Sequence, residues 1–249
     1  MAEAAGHDAH SPLAQFEIHP LIPFKIGGLD LSFTNSSLAM AIALTGVTVF
    51  LVGGMRREAM IPGRWQSAAE LAYEFVGGLI RDTVGSEGRK YFPFVFTLFM
   101  FILFGNLLGM MPYGFTFTSH IVVTFALAAV VFVGVTILGF AKHGVHFLHF
   151  FVPPGVSVLL WPLMIPIEII SYLSRPISLS VRLFANLTAG HTMLKVFAGF
   201  VISLGIVGGW LPFAFVVALT GLEFLIAFLQ AYVFTILTCF YIKDALHMH

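Results

Sequence analysis

A long uncharged stretch limits the possible folds of this chain more than any other feature. Residues 91–141 contain no Asp, Glu, Lys or Arg. One membrane-spanning helix needs about 20 apolar residues, so the stretch is long enough for two spans. Pro112 and Gly114 favour a turn between spans predicted at about 92–110 and 119–141. The chain is therefore predicted to be an integral membrane protein.

The composition agrees with a membrane location. Of the 249 residues, 59% are hydrophobic and only 10% are charged, whereas a soluble domain has about 25% charged residues. This excludes an ordinary soluble enzyme and an intrinsically disordered chain. Lys and Arg total 12, as do Asp and Glu, so no net charge favours nucleic acid. The one cysteine, Cys239, excludes an intrachain disulfide framework and a cysteine-based zinc cluster.

Further apolar segments complete the predicted architecture. A span at about 38–54 follows a polar N-terminal segment, residues 1–36, which lacks the features of a cleaved signal peptide. Two long apolar helices are predicted at about 163–205 and 211–242. We expect residues 37–249 to form a single membrane domain. The predicted fold class is an all-α integral membrane protein with about five membrane-embedded helices plus one amphipathic interfacial helix.

The amphipathic helix is predicted at about 65–84. Apolar residues recur there at helical spacing. The opposite face carries polar residues: Gln66, Glu70, Glu74 and Arg81. This pattern favours a helix lying on the cytoplasmic membrane surface. A buried hairpin helix with the same pattern remains an alternative, because periodicity alone does not separate the two.

Positive charges predict the orientation of the chain. Arg56, Arg57 and Arg64 directly follow the first span. Cytoplasmic loops carry an excess of Lys and Arg, so this side of the span is predicted to be cytoplasmic. The N-terminus is then on the opposite side of the membrane, and the C-terminus, which follows Lys243, is cytoplasmic.

The second half of the chain carries charges inside apolar sequence. They are Glu168, Arg175, Arg182, Lys195 and Glu223. A charged side chain at the centre of a membrane helix costs about 2.5–3.5 kcal/mol, so such residues usually face a bundle interior or a water-filled cavity. As one helix, residues 163–205 would measure about 64 Å, roughly twice the bilayer core. The segment must split or tilt, and the even spread of its polar residues favours a tilt.

Helical spacing places these charges on particular faces. Glu168, Arg175 and Arg182 are seven residues apart, so they lie along one stripe that drifts only about 20° per step. Asn186 continues this stripe. Ser178 lies nearby in the sequence, either on the same polar path or as a helix-packing hydroxyl.

A second polar face carries a candidate proton relay. His191 lies about 180° from Arg182 around an unkinked helix. Glu223 and Gln230 share a face of the next long helix. In an antiparallel helix pair, His191 can meet Glu223, and such a pair would titrate as one coupled unit. The alternatives are a packing histidine bonded to a backbone carbonyl and a purely structural role for Glu223.

Other classes of function are less well supported. A secondary transporter could bind an anionic substrate at Arg182, but the two halves show no inverted repeat. An intramembrane hydrolase would need a nucleophile–base pair or a metal motif. The histidines at 143, 146 and 149 are not spaced for one tight helical face, so no metal site is predicted. No nucleotide-binding motif is present, and no cofactor is expected.

Several motifs resemble subunit a of F-type ATP synthases over almost the whole chain. The most specific is Arg182-Leu-Phe-Ala-Asn186-Leu-Thr-Ala-Gly-His191. The others are Arg175-Pro-Ile-Ser178, Leu229-Gln230-Ala-Tyr and Gly105-Asn106-Leu-Leu-Gly109-Met-Met-Pro112. The order of His191 then Glu223 resembles mitochondrial and related alphaproteobacterial forms. Some members carry an acidic residue at the position of Gly109, so this span is not expected to supply a carboxylate.

The resemblance implies a function. The chain would be the proton-channel stator of a rotary motor, without catalytic activity of its own. Arg182 would face the ring of c subunits, attract their carboxylates and separate two aqueous half-channels. His191 and Glu223 would line the half-channel from the proton-rich side.

The remaining implications concern the path and the partners. Asn186 and Gln230 match polar positions near the arginine, and Glu168 matches an acidic residue toward the cytoplasmic exit. The two long helices would lie tilted against the c-ring. Partners would be the c-ring, b-type peripheral stalk subunits and the rest of the synthase, in a bacterial inner membrane.

Overall fold

Long helices dominate the computed structural model, which describes residues 18–23, 25–26, 29–30, 32–55, 62–111, 115–144, 147 and 160–246. Within these residues there are six α-helices: α1 (Asn35–Met55), α2 (Arg64–Thr83), α3 (Phe92–Gly109), α4 (Ile121–His143), α5 (Trp161–Gly208) and α6 (Trp210–Leu246). All except α2 are long and apolar enough to cross a membrane. The predicted all-α membrane protein, with five apolar helices and one amphipathic helix, is confirmed.

Helix α2 is amphipathic, as predicted. Its buried residues, Ala69, Val76 and Ile80, recur at helical spacing. In the same helix, Tyr73 packs on Phe92 of α3 with ring centroids 4.5 Å apart. Its Leu71 side chain is 69% exposed, so the helix is not buried on all sides. The location of α2 on the membrane surface remains a prediction.

Short strands precede the helices, which the sequence pattern did not predict. Strand β1 (Pro20–Ile22) pairs antiparallel with β4 (Phe33–Thr34), and β2 (Lys25–Ile26) pairs antiparallel with β3 (Leu29–Asp30). Strands of two or three residues are too short to show a recognisable alternation of apolar and polar residues.

Helix α5 is unbroken from Trp161 to Gly205, where the sequence allowed either one helix or two. It runs through Pro166 and Pro176, and the backbone leaves helical geometry at Gly205, which has a φ of 63°. The 45 residues from Trp161 to Gly205 correspond to about 67 Å, more than twice a bilayer core. Only glycine adopts this φ without strain, which accounts for the position of the break.

The chain divides into two compact units. The first comprises the described parts of Met1–Val52, Met100–His120 and Leu183–Ala231. Inside it, the buried Asn106 Nδ2 donates a hydrogen bond to the carbonyl oxygen of Ala227 at 3.1 Å. Asn106 thus packs α3 against α6 through a buried hydrogen bond.

The second unit comprises the described parts of Gly53–Phe99, Ile121–Arg182 and Tyr232–His249. Here the Tyr172 hydroxyl lies 2.7 Å from Thr136 Oγ1, and Ser180 Oγ lies 3.2 Å from Thr124 Oγ1. These hydroxyl pairs connect α4 with α5, because polar groups in an apolar environment need hydrogen-bond partners.

Candidate functional site

His191 of α5 and Glu223 of α6 lie together inside the first unit. His191 Nδ1 is 3.3 Å from Glu223 Oε1. The two side chains are only 12% and 4% exposed. The sequence predicted that these two residues can meet in an antiparallel helix pair, and in the structure their side chains join α5 to α6. The two titratable groups are therefore in direct contact, at ion-pair distance.

The carboxyl group of Glu223 is buried. Neither of its oxygens has a hydrogen-bond partner among the residues that the structure describes. A buried carboxyl group without such partners is costly. Within the described residues, the imidazole of His191 is the titratable group in contact with this carboxyl group.

Gly190 makes room for this carboxyl group. A Cβ atom placed on Gly190 would lie 2.8 Å from Glu223 Oε1 and 3.3 Å from its Cδ. Real Cβ atoms do not approach other atoms so closely. The glycine before His191 therefore permits the close approach of the two helices at the site.

Thr116 is a site residue that the sequence did not reveal. Its Oγ1 lies 3.1 Å from His191 Nε2, the ring nitrogen on the far side from Glu223. Thr116 is 4% exposed and stands in a loop, 75 positions before His191. Helical spacing carries no signal for such a contact, because loop residues share no periodicity with the helix that they touch.

Arg182 lies on α5 within the second unit. Its side chain is exposed, and no described acidic residue forms an ion pair with it. The alternative of a structural ion pair with Glu168 in the same unit is therefore not realised. A guanidinium on an apolar helix in this state is available to a carboxylate from outside the chain.

Arg175, seven residues earlier, shows the opposite environment. Its Nη1 donates to Asp244 Oδ2 at 3.0 Å. Its guanidinium carbon also lies 5.3 Å from the ring centroid of Tyr172 and 5.2 Å from that of Tyr241. The charge of Arg175 is thus matched within its own unit.

The other predicted site residues are spread along the two long helices. In the first unit, Gln230 is buried and Asn186 is exposed. In the second unit, Glu168 is half-buried and Ser178 is exposed. Ser178 therefore does not pack against the described residues as a buried hydroxyl would, whereas Ser180 does.

No metal site is found in the part of the chain that the structure describes. That part holds no group of three or more His, Cys, Asp or Glu side chains placed to bind an ion. Of the three histidines considered above, His146 and His149 lie outside the described residues, as do Arg56, Arg57, Pro112 and Gly114.

Comparison with known proteins identifies the family. The model of the ATP synthase A chain family matches residues 36–243. The chain is 60% identical over 245 residues to ATP synthase subunit a of Paramagnetospirillum magneticum, covering 96% of this chain and 99% of the relative. It is 61% identical over 240 residues to that of Rhodospirillum rubrum, covering 96% and 100%.

A third relative extends the comparison. ATP synthase subunit a of Pelagibacter ubique is 59% identical over 242 residues, covering 97% of this chain and 99% of the relative. Bacterial relatives and five apolar helices together indicate a multi-pass bacterial membrane protein. With a family model and relatives that each match most of its length, the chain belongs to the ATP synthase A chain family.

Proposed function

We propose that the chain is the proton-translocating stator subunit of a rotary F-type ATP synthase. It would provide two aqueous half-channels to and from the carboxylates of the c-ring, with Arg182 between them. Membership of the family supports this function. The observation that carries it is an exposed arginine on a membrane helix that forms no ion pair with any described residue of its own chain.

The chemistry of arginine suits a barrier between two half-channels. A guanidinium keeps its charge at any relevant pH. It attracts a deprotonated carboxylate but does not relay a proton. A protonated carboxyl group is neutral and leaves for the lipid at lower cost than the ionised form. Proton entry and exit can therefore bias the rotation of the ring.

The contact of His191 and Glu223 suits proton entry. The pair would accept protons in the half-channel from the periplasmic side and pass them toward the ring. The distance of 3.3 Å between Nδ1 and Oε1 supports a relay in which the two groups act as neighbours. Each proton that crosses a potential of about 100 mV releases about 2.3 kcal/mol.

Polar residues that do not titrate would complete the water path. Asn186 and Gln230 carry amide groups, which order water by donating and accepting hydrogen bonds. Toward the cytoplasmic exit, Glu168 would be an acidic group and Ser178 a hydroxyl along the second half-channel. The exposure of Asn186 and Ser178 fits contact with water or with a partner.

The assembly would place α5 and α6 tilted against the c-ring. A helix of about 67 Å does not fit upright in a core of about 30 Å. The b-type stalk subunits would hold the chain still, and nucleotide chemistry would take place on other subunits. The chain would lie in a bacterial inner membrane with its N-terminus periplasmic and its C-terminus cytoplasmic.

Arg182 variants in the assembled complex test this function. Arg182→Ala should abolish ATP-driven proton pumping in inverted membrane vesicles while leaving the complex assembled. Arg182→Lys, the matched variant, should keep little pumping, because a lysine can lose its proton in an apolar site. Normal pumping by an assembled Arg182→Ala complex would contradict the assignment.

A further inference from the structure

The hydroxyl group of Thr116 has a fixed direction of hydrogen bonding. It donates its one hydrogen to the carbonyl oxygen of Gly109 at 3.0 Å. The same oxygen lies 3.1 Å from His191 Nε2. A hydroxyl group has a single hydrogen, so toward His191 this oxygen can only accept. Both contacts are hydrogen bonds at once only if the ring of His191 carries a hydrogen on Nε2.

A hydrogen on Nε2 also determines the protonation of the other ring nitrogen, Nδ1. With a hydrogen on Nε2, the lone pair of a neutral imidazole is on Nδ1. Nδ1 is the atom 3.3 Å from Glu223 Oε1. One proton then lies between the two side chains, either on the carboxyl group or on Nδ1. In a transfer toward His191, the O–H bond of Glu223 breaks and the Nδ1–H bond forms.

The position of Thr116 is itself held from several sides. Ser119 Oγ donates to the Thr116 carbonyl oxygen at 2.6 Å. Thr188 of α5 donates from Oγ1 to the Ser119 carbonyl oxygen at 3.3 Å. These two bonds attach the loop to the helix that carries His191. Thr116 thus keeps its place relative to the imidazole.

Gly109 is part of the same arrangement. A Cβ atom on Gly109 would lie within 3 Å of three atoms of Thr116, including Oγ1. The threonine occupies the space that any side chain at 109 would need. This chain thus has a glycine at position 109, where some members of the family have an acidic residue. The space beside that glycine holds the Thr116 hydroxyl group, which contacts His191.

We infer that Thr116 is a positioning residue for proton transfer: its hydroxyl group accepts from Nε2–H of His191 and so directs Nδ1 at Glu223. This inference rests on the proposed function. Thr116 neither gains nor loses a proton in the step. It sets the tautomer and the orientation of the imidazole, as hydrogen-bond partners of functional histidines do elsewhere.

Three variants of the assembled complex test the role through ATP-driven proton pumping. Thr116→Val keeps the shape but removes the hydroxyl group, and pumping should fall about tenfold, the scale of one lost hydrogen bond. Thr116→Ser keeps the hydroxyl group and should restore most of the rate. Thr118→Val is the matched control, since Thr118 is fully buried and its Oγ1 has no hydrogen-bond partner within the described residues. Equal losses in the Val and Ser variants of Thr116 would overturn the inference.

A double variant separates positioning from general structure. In a His191→Gln background, Thr116→Val should add no further loss, because residues that act through one another are not additive. Losses that multiply would overturn the inference. If His191→Gln lowers pumping while Thr116→Val does not, only this inference fails. If the His191→Gln complex pumps normally, both this inference and the proposed relay of His191 and Glu223 are wrong.

A spectroscopic measurement decides the point even if Thr116→Val does not assemble. Complex labelled with ¹⁵N-histidine is compared with the His191→Gln complex, and the difference isolates the ring nitrogens of His191. The neutral ring should show hydrogen on Nε2 and none on Nδ1. A neutral ring with its hydrogen on Nδ1 would overturn the inference.

Discussion

At the residue scale, the two arginines of α5 lie in different environments. Arg175 is matched by Asp244 and by two tyrosine rings. Arg182, two turns later, forms no ion pair with a described residue and is exposed. An unmatched charge on a membrane helix is costly, which favours the proposed carboxylate partner from another subunit. The two arginines therefore differ in environment: one is matched within its own unit, and the other is the arginine proposed to serve the ring.

Gly190 gives a sharp prediction at the same scale. Gly190→Ala should lower ATP-driven proton pumping, because the new Cβ would displace the Glu223 carboxyl group from His191. The end of a glutamate side chain moves easily, and alanine favours a helix over glycine by about 1 kcal/mol. Assembly and thermal stability should therefore be kept while pumping falls.

Gly199 of the same helix supplies the control. A Cβ atom there would meet nothing within 4 Å, so Gly199→Ala should leave pumping at the wild-type rate. Equal pumping by the Gly190→Ala and Gly199→Ala complexes would show that the close approach at Glu223 has no role in proton transfer.

At the element scale, apolar length predicted the helices well and their ends less well. The first span was predicted from residue 38, but α1 begins at Asn35. The Thr34 side chain accepts a hydrogen bond from the backbone N–H of Ser37 at 3.3 Å, so a polar cap extends the helix beyond its apolar run. Caps of this kind have no hydrophobic signal.

The candidate site was predictable where it depends on helical spacing. His191 and Glu223 lie on regular helices, and their faces follow from residue number. The contacts of Thr116 with His191 and of Asp244 with Arg175 join distant parts of the chain. Such pairs depend on how loops and helix ends fold back, which periodicity does not encode.

The contact of Arg175 with Asp244 links α5 to the end of α6, and it gives a second prediction. Asp244→Asn should lower the free energy of unfolding of the complex by about 0.5–1 kcal/mol, the value of a partly exposed ion pair. Pumping per assembled complex should be unchanged, because neither Arg175 nor Asp244 belongs to the proposed relay of His191 and Glu223. Thermal denaturation measures the difference.

Lys243→Gln is the control for that prediction. Lys243 is exposed, and its neutralisation should change stability less than Asp244→Asn. A loss of pumping in assembled Asp244→Asn complex, without a loss of stability, would mean that Arg175 acts in proton transfer.

At the scale of the whole molecule, the exposed apolar surface indicates the surroundings. Leu163, Ile170 and Ile177 of α5 are 62%, 66% and 53% exposed. Such residues would be unfavourable in water. Helix α5 therefore requires lipid or another membrane protein along this stripe, in agreement with a subunit of a larger complex.

The orientation of the chain is testable with single cysteines. Cys239 is buried, so it should not react with a membrane-impermeant maleimide. Ile18→Cys, at an exposed position, should react only from the periplasmic side, and Lys243→Cys only from the cytoplasmic side, because the basic residues after the first span favour the cytoplasm. The opposite labelling pattern would reverse the proposed half-channels.

The central claim is that Arg182 serves a carboxylate of another subunit. A map of the intact complex that resolves side chains around Arg182 tests it most directly. The account predicts a carboxyl group of a ring subunit within about 4 Å of the guanidinium. A guanidinium bound to an acidic residue of its own chain, or facing lipid alone, would contradict it.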